Sequence, residues 1–151
     1  MTLPATYVHT NLIARDWRAL AAFYQQVFGC TLVPPERDLG GDALERGSRV
    51  PGARLRGVHL RLPGGGETGP TLEIFTYETL ADGLPAAANR PGFGHIAFAV
   101  PDVTAARATV LAAGGSEFGD IVTTSAGNRT VTWTYVRDPE GNLVELQAWS
   151  G

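Results

Sequence analysis

An internal duplication is the feature that most constrains what this chain can fold into. The stretch from His9 to Asp16 reads HTNLIARD, and the stretch from His95 to Asp102 reads HIAFAVPD. Each opens on a histidine, continues with strand-like residues and ends on an aspartate seven positions later. Repetition of a whole structural unit predicts two modules of the same architecture. It constrains the fold more strongly than the assignment of any single helix or strand.

The residues that follow each aspartate predict a helix. After Asp16, apolar residues recur at helical spacing until Gly29, and an alanine-rich segment runs from Asp102 to Gly114. Aspartate is a favoured N-cap because its carboxylate accepts hydrogen bonds from the unpaired backbone N–H groups of the first turn. Glycine suits the left-handed conformation that commonly ends a helix. The sequence therefore predicts a capped helix at the same place in both modules.

Three strand candidates follow each helix, marked by β-branched and aromatic residues between turn residues. Along the chain they are 31–33, 54–62, 70–77, 118–124, 130–137 and 143–149. The polar, glycine-rich segment 34–52 is predicted to be an extra loop of the first module. The fold class is therefore α+β, built from two tandem βαβββ modules. The first spans residues 1–82, the second spans residues 90–151, and their boundary lies near 83–91.

Each module ends in a strand that carries a glutamate between apolar neighbours. Glu73 lies within TLEIF and Glu145 lies within LVELQ. Because strand side chains alternate between the two faces of a sheet, the apolar neighbours can pack on a helix while the glutamate faces the other way. A buried carboxylate without a partner is costly, and a cation would supply that partner.

The two glutamates match the two repeated histidines in spacing. His9 precedes Glu73 by 64 positions and His95 precedes Glu145 by 50, and the difference falls in the extra segment 34–52. Imidazole and carboxylate ligands together suit divalent transition metals, whereas Ca²⁺ prefers oxygen alone. The sequence predicts one divalent ion, with Zn²⁺, Ni²⁺, Co²⁺ or Mn²⁺ favoured over Fe²⁺. Its predicted ligands are His9, Glu73, His95 and Glu145.

Three segments resemble the vicinal oxygen chelate superfamily, which contains glyoxalases, bleomycin resistance proteins and dioxygenases. GFGHIAFAVPD at 92–102 is similar to the second-module signature of glyoxalase I-like lyases. DPEGNLVE at 138–145 is similar to their closing hairpin, and residues 9–29 are similar to their opening strand and helix. The resemblance implies a half-open mixed barrel around the metal site, and a homodimer. The four candidate ligands match the family's metal-ligand positions residue by residue.

The resemblance favours a metal-dependent lyase or isomerase. Such an enzyme would act through a metal-stabilised enediolate on a small 2-oxo, hemithioacetal or acyl-thioester substrate. Glu145 is the expected proton-shuttling base, with Glu73 as its partner. An Fe(II) extradiol-type dioxygenase, which would need only His9, His95 and Glu145, is one alternative. A non-catalytic binding protein for a small molecule such as an antibiotic is the other.

Four further residues are candidates for the substrate pocket. His59 and Arg61 share one predicted strand, and Trp133 and Tyr135 share another. An exposed strand position would explain His59 equally well. A core position would explain the aromatic pair, since that is the commoner place for such rings.

Composition sets the wider limits. Hydrophobic residues make up 44% of the chain, charged residues make up 18%, and the formal net charge is −3. These values are typical of a globular protein and offer no basic patch for a nucleic acid. The single cysteine, Cys30, excludes a disulfide framework within the chain. No apolar run has the length of a membrane span or the pattern of a signal peptide. We therefore expect a cytoplasmic protein with a small-molecule substrate and with no nucleic-acid or membrane partner.

Overall fold

The computed structural model describes all residues from 1 to 151 and divides into two compact units, Met1–Asp82 and Gly83–Gly151. Each unit begins with a strand and a helix and then adds the remaining strands of one open sheet. The predicted α+β class with a duplicated strand–helix–strands order is confirmed. None of the three helices has the length and apolarity that a membrane crossing requires.

The first unit contains a four-stranded sheet and two helices. Its elements are β1 (His9–Ile13), α1 (Trp17–Phe28), β2 (Thr31–Gly40), α2 (Asp42–Ser48), β3 (Arg54–Arg61) and β4 (Thr71–Tyr77). The strand order is β1-β4-β3-β2, in which β1 runs parallel to β4 and the other pairs are antiparallel. Side chains of β4 therefore have neighbours on both sides, from β1 and from β3.

The segment 34–52 is not the loop that the sequence predicted. Strand β2 continues through Pro34 and Pro35, and α2 occupies much of the remainder. Prolines are tolerated because β2 lies at the edge of the sheet, where a missing N–H group need not interrupt the hydrogen-bond ladder. The pairing register also shifts between Val33 and Arg37, so that the prolines sit in an irregular part of the strand. An edge strand and a short helix thus replace the predicted loop.

The second unit contains a five-stranded sheet and one helix. Its elements are β5 (Ile96–Ala99), α3 (Val103–Ala112), β6 (Ser116–Glu117), β7 (Val122–Ala126), β8 (Arg129–Arg137) and β9 (Leu143–Ser150). The strand order is β5-β9-β8-β6, and β7 also pairs with β8. The single strand predicted at 118–124 is wrong in part. An irregular segment at 118–121 separates β6 from β7. Both strands pair with β8, β6 near its end and β7 along its first half.

The predicted helix caps are confirmed at both N-termini. The Asp16 carboxylate accepts a hydrogen bond from the Ala19 N–H group at 3.1 Å, and Asp102 accepts one from Ala105 at 3.0 Å. At the end of α1, Gly29 has a φ of 70°, a left-handed conformation that glycine adopts without strain from a Cβ atom. Local cap chemistry therefore fixes where both long helices begin.

The core of each unit lies between its sheet and its long helix. Helix α1 packs on β3 and β4, and α3 packs on β8 and β9. Leu72 and Ile74 of β4 are fully buried, as are Val144 and Leu146 of β9. These residues flank the two glutamates, so the predicted alternation of faces is confirmed. Each glutamate consequently points to the sheet face opposite the helix.

Cys30 lies just after α1 and is buried, with 3% of its surface exposed. Burial raises the pKa of its thiol from the ordinary value of 9.0 to about 11, because the thiolate would lose its hydration. We expect the native protein to react with Ellman's reagent at pH 8 at least roughly 100-fold more slowly than the chain in guanidinium chloride, since the thiolate is the reactive form. Absorbance recorded with and without denaturant measures both rates. Equal rates would contradict a buried thiol.

Candidate metal centre

Glu73 lies at the middle of a polar group on the first sheet. In the strand register it stands beside Asn11 of β1 on one side and His59 of β3 on the other. Asn11 Nδ2 donates a hydrogen bond to Glu73 Oε1 at 2.9 Å, and His59 Nε2 lies 2.8 Å from Glu73 Oε2. The sheet thus fixes three polar side chains on the face opposite the core.

His9 completes this group. Its Nε2 atom lies 3.7 Å from Glu73 Oε1, and its ring is perpendicular to that of His59 at a centroid distance of 5.8 Å. One ligand atom from each of His9, His59 and Glu73 lies within 4.8 Å of the other two. Two imidazole nitrogens and one carboxylate oxygen are a common donor set for divalent transition metals. The structure therefore brings His9 and Glu73 together, and it adds His59, which the sequence placed only in a substrate pocket.

The three side chains differ in exposure. The exposed fractions of the side chains are 13% for Glu73, 18% for His59 and 38% for His9. Burial lowers the pKa of His59 below its ordinary value of 6.5, and the positive charge of Arg37 acts in the same direction, while the carboxylate of Glu73 opposes both. A pKa below 6.5 favours the neutral form of the His59 imidazole at neutral pH. Neutral imidazole is the form that binds a metal ion.

Neighbouring polar groups orient two of these side chains. Thr71 Oγ1 lies 3.5 Å from His59 Nδ1, while Asn11 holds one oxygen of Glu73. In metal sites, the second ring nitrogen of a histidine ligand and the carboxylate ligands are commonly held in this way. The first unit thus supplies ligand atoms together with groups that fix their orientation.

An apolar wall borders the group on the same face. The Phe75 ring lies 5.9 Å from that of His59, and Phe75 stands opposite Gly57 in the register of β3 and β4. A Cβ atom at Gly57 would overlap the carbonyl oxygen of Ile74 and would lie 2.6 Å from Phe75 Cδ1. Glycine is therefore the residue that lets Phe75 close over the strand beside His59.

The second unit brings together the other predicted pair. His95 Nε2 lies 3.0 Å from Glu145 Oε2, and Gln147 Nε2 donates a hydrogen bond to Glu145 Oε1 at 3.3 Å. The Tyr135 ring lies 4.8 Å from the His95 ring and 5.2 Å from the ring of Trp133. The two predicted pocket aromatics therefore lie on the same sheet face as Glu145, and Tyr135 contacts the pair directly.

The two units use one sheet position differently. Tyr135 stands opposite Glu145 in β8, just as His59 stands opposite Glu73 in β3. The first unit therefore gathers three metal-ligating side chains, whereas the second gathers two and a phenol. Arg61, the remaining pocket candidate, donates a hydrogen bond to the Gly69 carbonyl oxygen instead. Its guanidinium secures the turn that joins β3 to β4.

The duplicated α+β fold carries one His–Glu pair in each unit, and sequence comparison identifies the family to which such a chain belongs. The model of the Glyoxalase/Bleomycin resistance protein/Dioxygenase superfamily matches residues 6–146. The chain belongs to this superfamily, and the resemblance found in its motifs is confirmed. No curated protein sequence matched the chain.

Solved structures of the same fold extend over the whole chain. A glyoxalase family protein from Bacillus cereus has a TM-score of 0.79 at 17% identity, and the match covers 100% of this chain and 97% of that protein. A glyoxalase/bleomycin resistance protein/dioxygenase family enzyme from Burkholderia phytofirmans PsJN has a TM-score of 0.63 at 20% identity, with coverages of 95% and 98%. A glyoxalase family protein from Enterococcus faecalis has a TM-score of 0.59 at 18% identity, with coverages of 94% and 96%. Identities this low establish the shared fold alone.

Proposed function

We propose that the protein is a divalent-metal-dependent lyase or isomerase that removes a proton from a carbon next to a carbonyl group and acts through an enediolate or an enolate. The substrate would be a small 2-oxo compound, a hemithioacetal or an acyl thioester. One observation carries this proposal: each unit sets a histidine and a glutamate side by side on the sheet face opposite its core. The atoms lie 3.7 Å apart for His9 and Glu73, and 3.0 Å apart for His95 and Glu145.

The donor chemistry fits a divalent ion. Two neutral imidazoles and two carboxylates would balance a double positive charge, so the candidate ligands are the two repeated pairs His9, Glu73, His95 and Glu145. Asn11 and Gln147 each donate a hydrogen bond to one of the glutamates, at 2.9 and 3.3 Å. Such contacts orient carboxylate ligands. When bound, the ion would supply Lewis acidity that stabilises negative charge on two adjacent substrate oxygens.

We assign the proton transfer to Glu145, with Glu73 as its partner. A carboxylate can take a proton from a carbon next to a carbonyl group and return it to the adjacent carbon. The Glu145 side chain is 17% exposed and lies against His95. The rings of Tyr135 and Trp133 on the same sheet face would exclude water from one side of the reacting carbon, which protects an enediolate from unwanted protonation.

Solvent proton exchange tests this assignment. Protein reloaded with Zn²⁺, Ni²⁺, Co²⁺ or Mn²⁺ is incubated in D₂O with 2-oxo acids, acyl thioesters, and hemithioacetals formed from a 2-oxoaldehyde and small thiols. Proton NMR then follows loss of the C–H signal. We expect exchange only with a bound ion, and an at least roughly 100-fold slower rate in Glu145→Gln, which is the usual scale for a general base.

The matched control for this variant is Glu117→Gln in β6. The Glu117 side chain is 61% exposed and pairs with Arg107 on the surface, so its replacement should leave the rate unchanged. Absence of exchange from every substrate class with every ion would contradict the proposal.

An Fe(II) extradiol-type dioxygenase is a second candidate, favoured by one observation. His9, His59 and Glu73 form a two-histidine, one-carboxylate set, which is the donor set of many non-haem Fe(II) oxygenases. Oxygen uptake by anaerobically Fe²⁺-loaded protein with catechols tests this candidate. Uptake no faster than that of the metal-free protein would exclude it for those substrates.

A further inference from the structure

We propose that the first unit by itself retains the divalent ion with three protein ligands, His9, His59 and Glu73. The proposal rests on the metal dependence proposed above, and it changes which residues hold the ion. His59 becomes a ligand rather than a pocket residue, and His95 and Glu145 are not needed for retention.

The ligand atoms are already close to the spacing that one ion requires. Metal–nitrogen and metal–oxygen bonds of roughly 2.0–2.2 Å place two ligand atoms of one ion roughly 3–4.3 Å apart. His59 Nε2 lies 2.8 Å from Glu73 Oε2, and His9 Nε2 lies 3.7 Å from Glu73 Oε1. No two of the three ligand atoms are more than 4.8 Å apart. Small side-chain rotations would therefore bring the three atoms to the spacing of ligands on one ion.

The backbone fixes this arrangement. The three residues come from β1, β3 and β4, which are adjacent strands of one sheet. Glu73 and His59 are directly paired in the antiparallel ladder, and His9 lies on β1, two positions before the Asn11 that pairs with Glu73. Strands joined by ladder hydrogen bonds hold their side chains more precisely than loops do.

The surroundings of His59 also suit a metal ligand. Its Nδ1 atom lies 3.5 Å from Thr71 Oγ1, which leaves Nε2 directed at the carboxylate. Asn11 already donates to the other oxygen of Glu73, so one Glu73 oxygen faces His59 while the other is held by Asn11. Histidine ligands in metal sites usually show this division between a metal-facing and an anchored nitrogen.

This assignment separates two duties that the four-ligand scheme gives to Glu145. A base must be free to accept and release a proton, and a carboxylate that also holds the ion is less available for that task. With three ligands in the first unit, Glu145 is not a ligand of the ion. The second unit carries Tyr135 where the first carries His59, so it offers no equivalent set of three.

Metal binding by the full-length chain tests the proposal. Metal-free protein is titrated with Co²⁺ and Zn²⁺ by calorimetry, and His59→Gln is compared with the double variant His95→Gln, Glu145→Gln. We expect one equivalent of ion in the wild-type protein and at least roughly 100-fold weaker binding in His59→Gln, since loss of even an outer partner costs 10–100-fold. The double variant should stay within about threefold of the wild-type affinity, because it removes neither a ligand nor a group that orients one.

A second measurement does not depend on affinity. The chain has three histidines, so the exchangeable ring N–H signals of metal-bound imidazoles in the Co²⁺ protein can each be assigned by substitution. We expect contact-shifted signals from His9 and His59 and none from His95. Amide spectra of the variants check that each one is folded.

Four results would overturn the proposal. Wild-type affinity in His59→Gln, or loss of the ion in the folded double variant, would show that the ion is held without His59 or only with the second unit, and metal dependence itself would stand. A contact-shifted signal from His95 without one from His59 would show that the ion is bound by the second unit and not by His59. No binding by the wild-type protein would overturn both this proposal and the metal-dependent function.

Discussion

Replacing Glu73 with glutamine is expected to weaken Co²⁺ and Zn²⁺ binding by about 1000-fold or more and to abolish metal-dependent proton exchange, because the ligand must be an ionised carboxylate. Glu73 is the only member of its group that carries a negative charge, and His9, His59 and Asn11 all face it. Glutamine keeps the size of the side chain and can still accept the hydrogen bond from Asn11. A neutral amide, however, is a poor ligand for these ions.

The Co²⁺ absorption spectrum measures this loss, and Glu78→Gln is its control. Glu78 lies just after β4, its side chain is 64% exposed, and it forms a surface ion pair with Arg54. The control should bind Co²⁺ with wild-type affinity, since an exposed pair contributes little. Wild-type affinity in Glu73→Gln would remove Glu73 from every metal site proposed for this chain. Equal loss in both variants would point to a general effect of charge.

The duplicated framework could be predicted because its signals are local. Asp16 and Asp102 cap their helices through bonds that span three residues, and each glutamate faces away from the core because its two neighbours are apolar. These interactions involve side chains that are near one another in the chain. They therefore leave a pattern that a single sequence displays.

The edge strand β2 could not be predicted in the same way. Pro34 and Pro35 normally indicate a break, and they are compatible with a strand only where no neighbour requires their N–H groups. That condition depends on β2 being the last strand of the order β1-β4-β3-β2. Strand order is a property of the whole sheet, and no local pattern reports it.

The ligand prediction used symmetry, and symmetry concealed His59. His9, Glu73, His95 and Glu145 were chosen because they occupy repeated positions, whereas the counterpart of His59 is Tyr135. A non-symmetric signal was available in the hairpin. His59 and Glu73 are equally distant from Gly66 in the turn, which predicts that they face each other across the two strands. That the two His–Glu pairs serve one ion stays a prediction, and the variants above test it.

A single methyl group at position 57 should destabilise the first unit strongly. We expect Gly57→Ala to lower the free energy of unfolding by about 3 kcal/mol or more, at or above the upper end of the usual range for overpacking, because the atoms it meets cannot move away. The new Cβ atom would overlap the Ile74 carbonyl oxygen and lie 2.6 Å from Phe75 Cδ1. The Ile74 oxygen belongs to a paired strand, so relief requires separation of β3 from β4, the two strands that carry His59 and Glu73.

Guanidinium denaturation followed by circular dichroism measures this change, and Gly47→Ala in α2 is the matched control. A Cβ atom at Gly47 would meet nothing within 4 Å, so the control should be neutral or more stable by up to about 1 kcal/mol, as expected for alanine in a helix. If Gly57→Ala unfolds at the wild-type midpoint, β3 and β4 can separate without cost. The close pairing that holds His59 beside Glu73 would then not be rigid, and their 2.8 Å contact would carry no weight as a preformed ligand geometry.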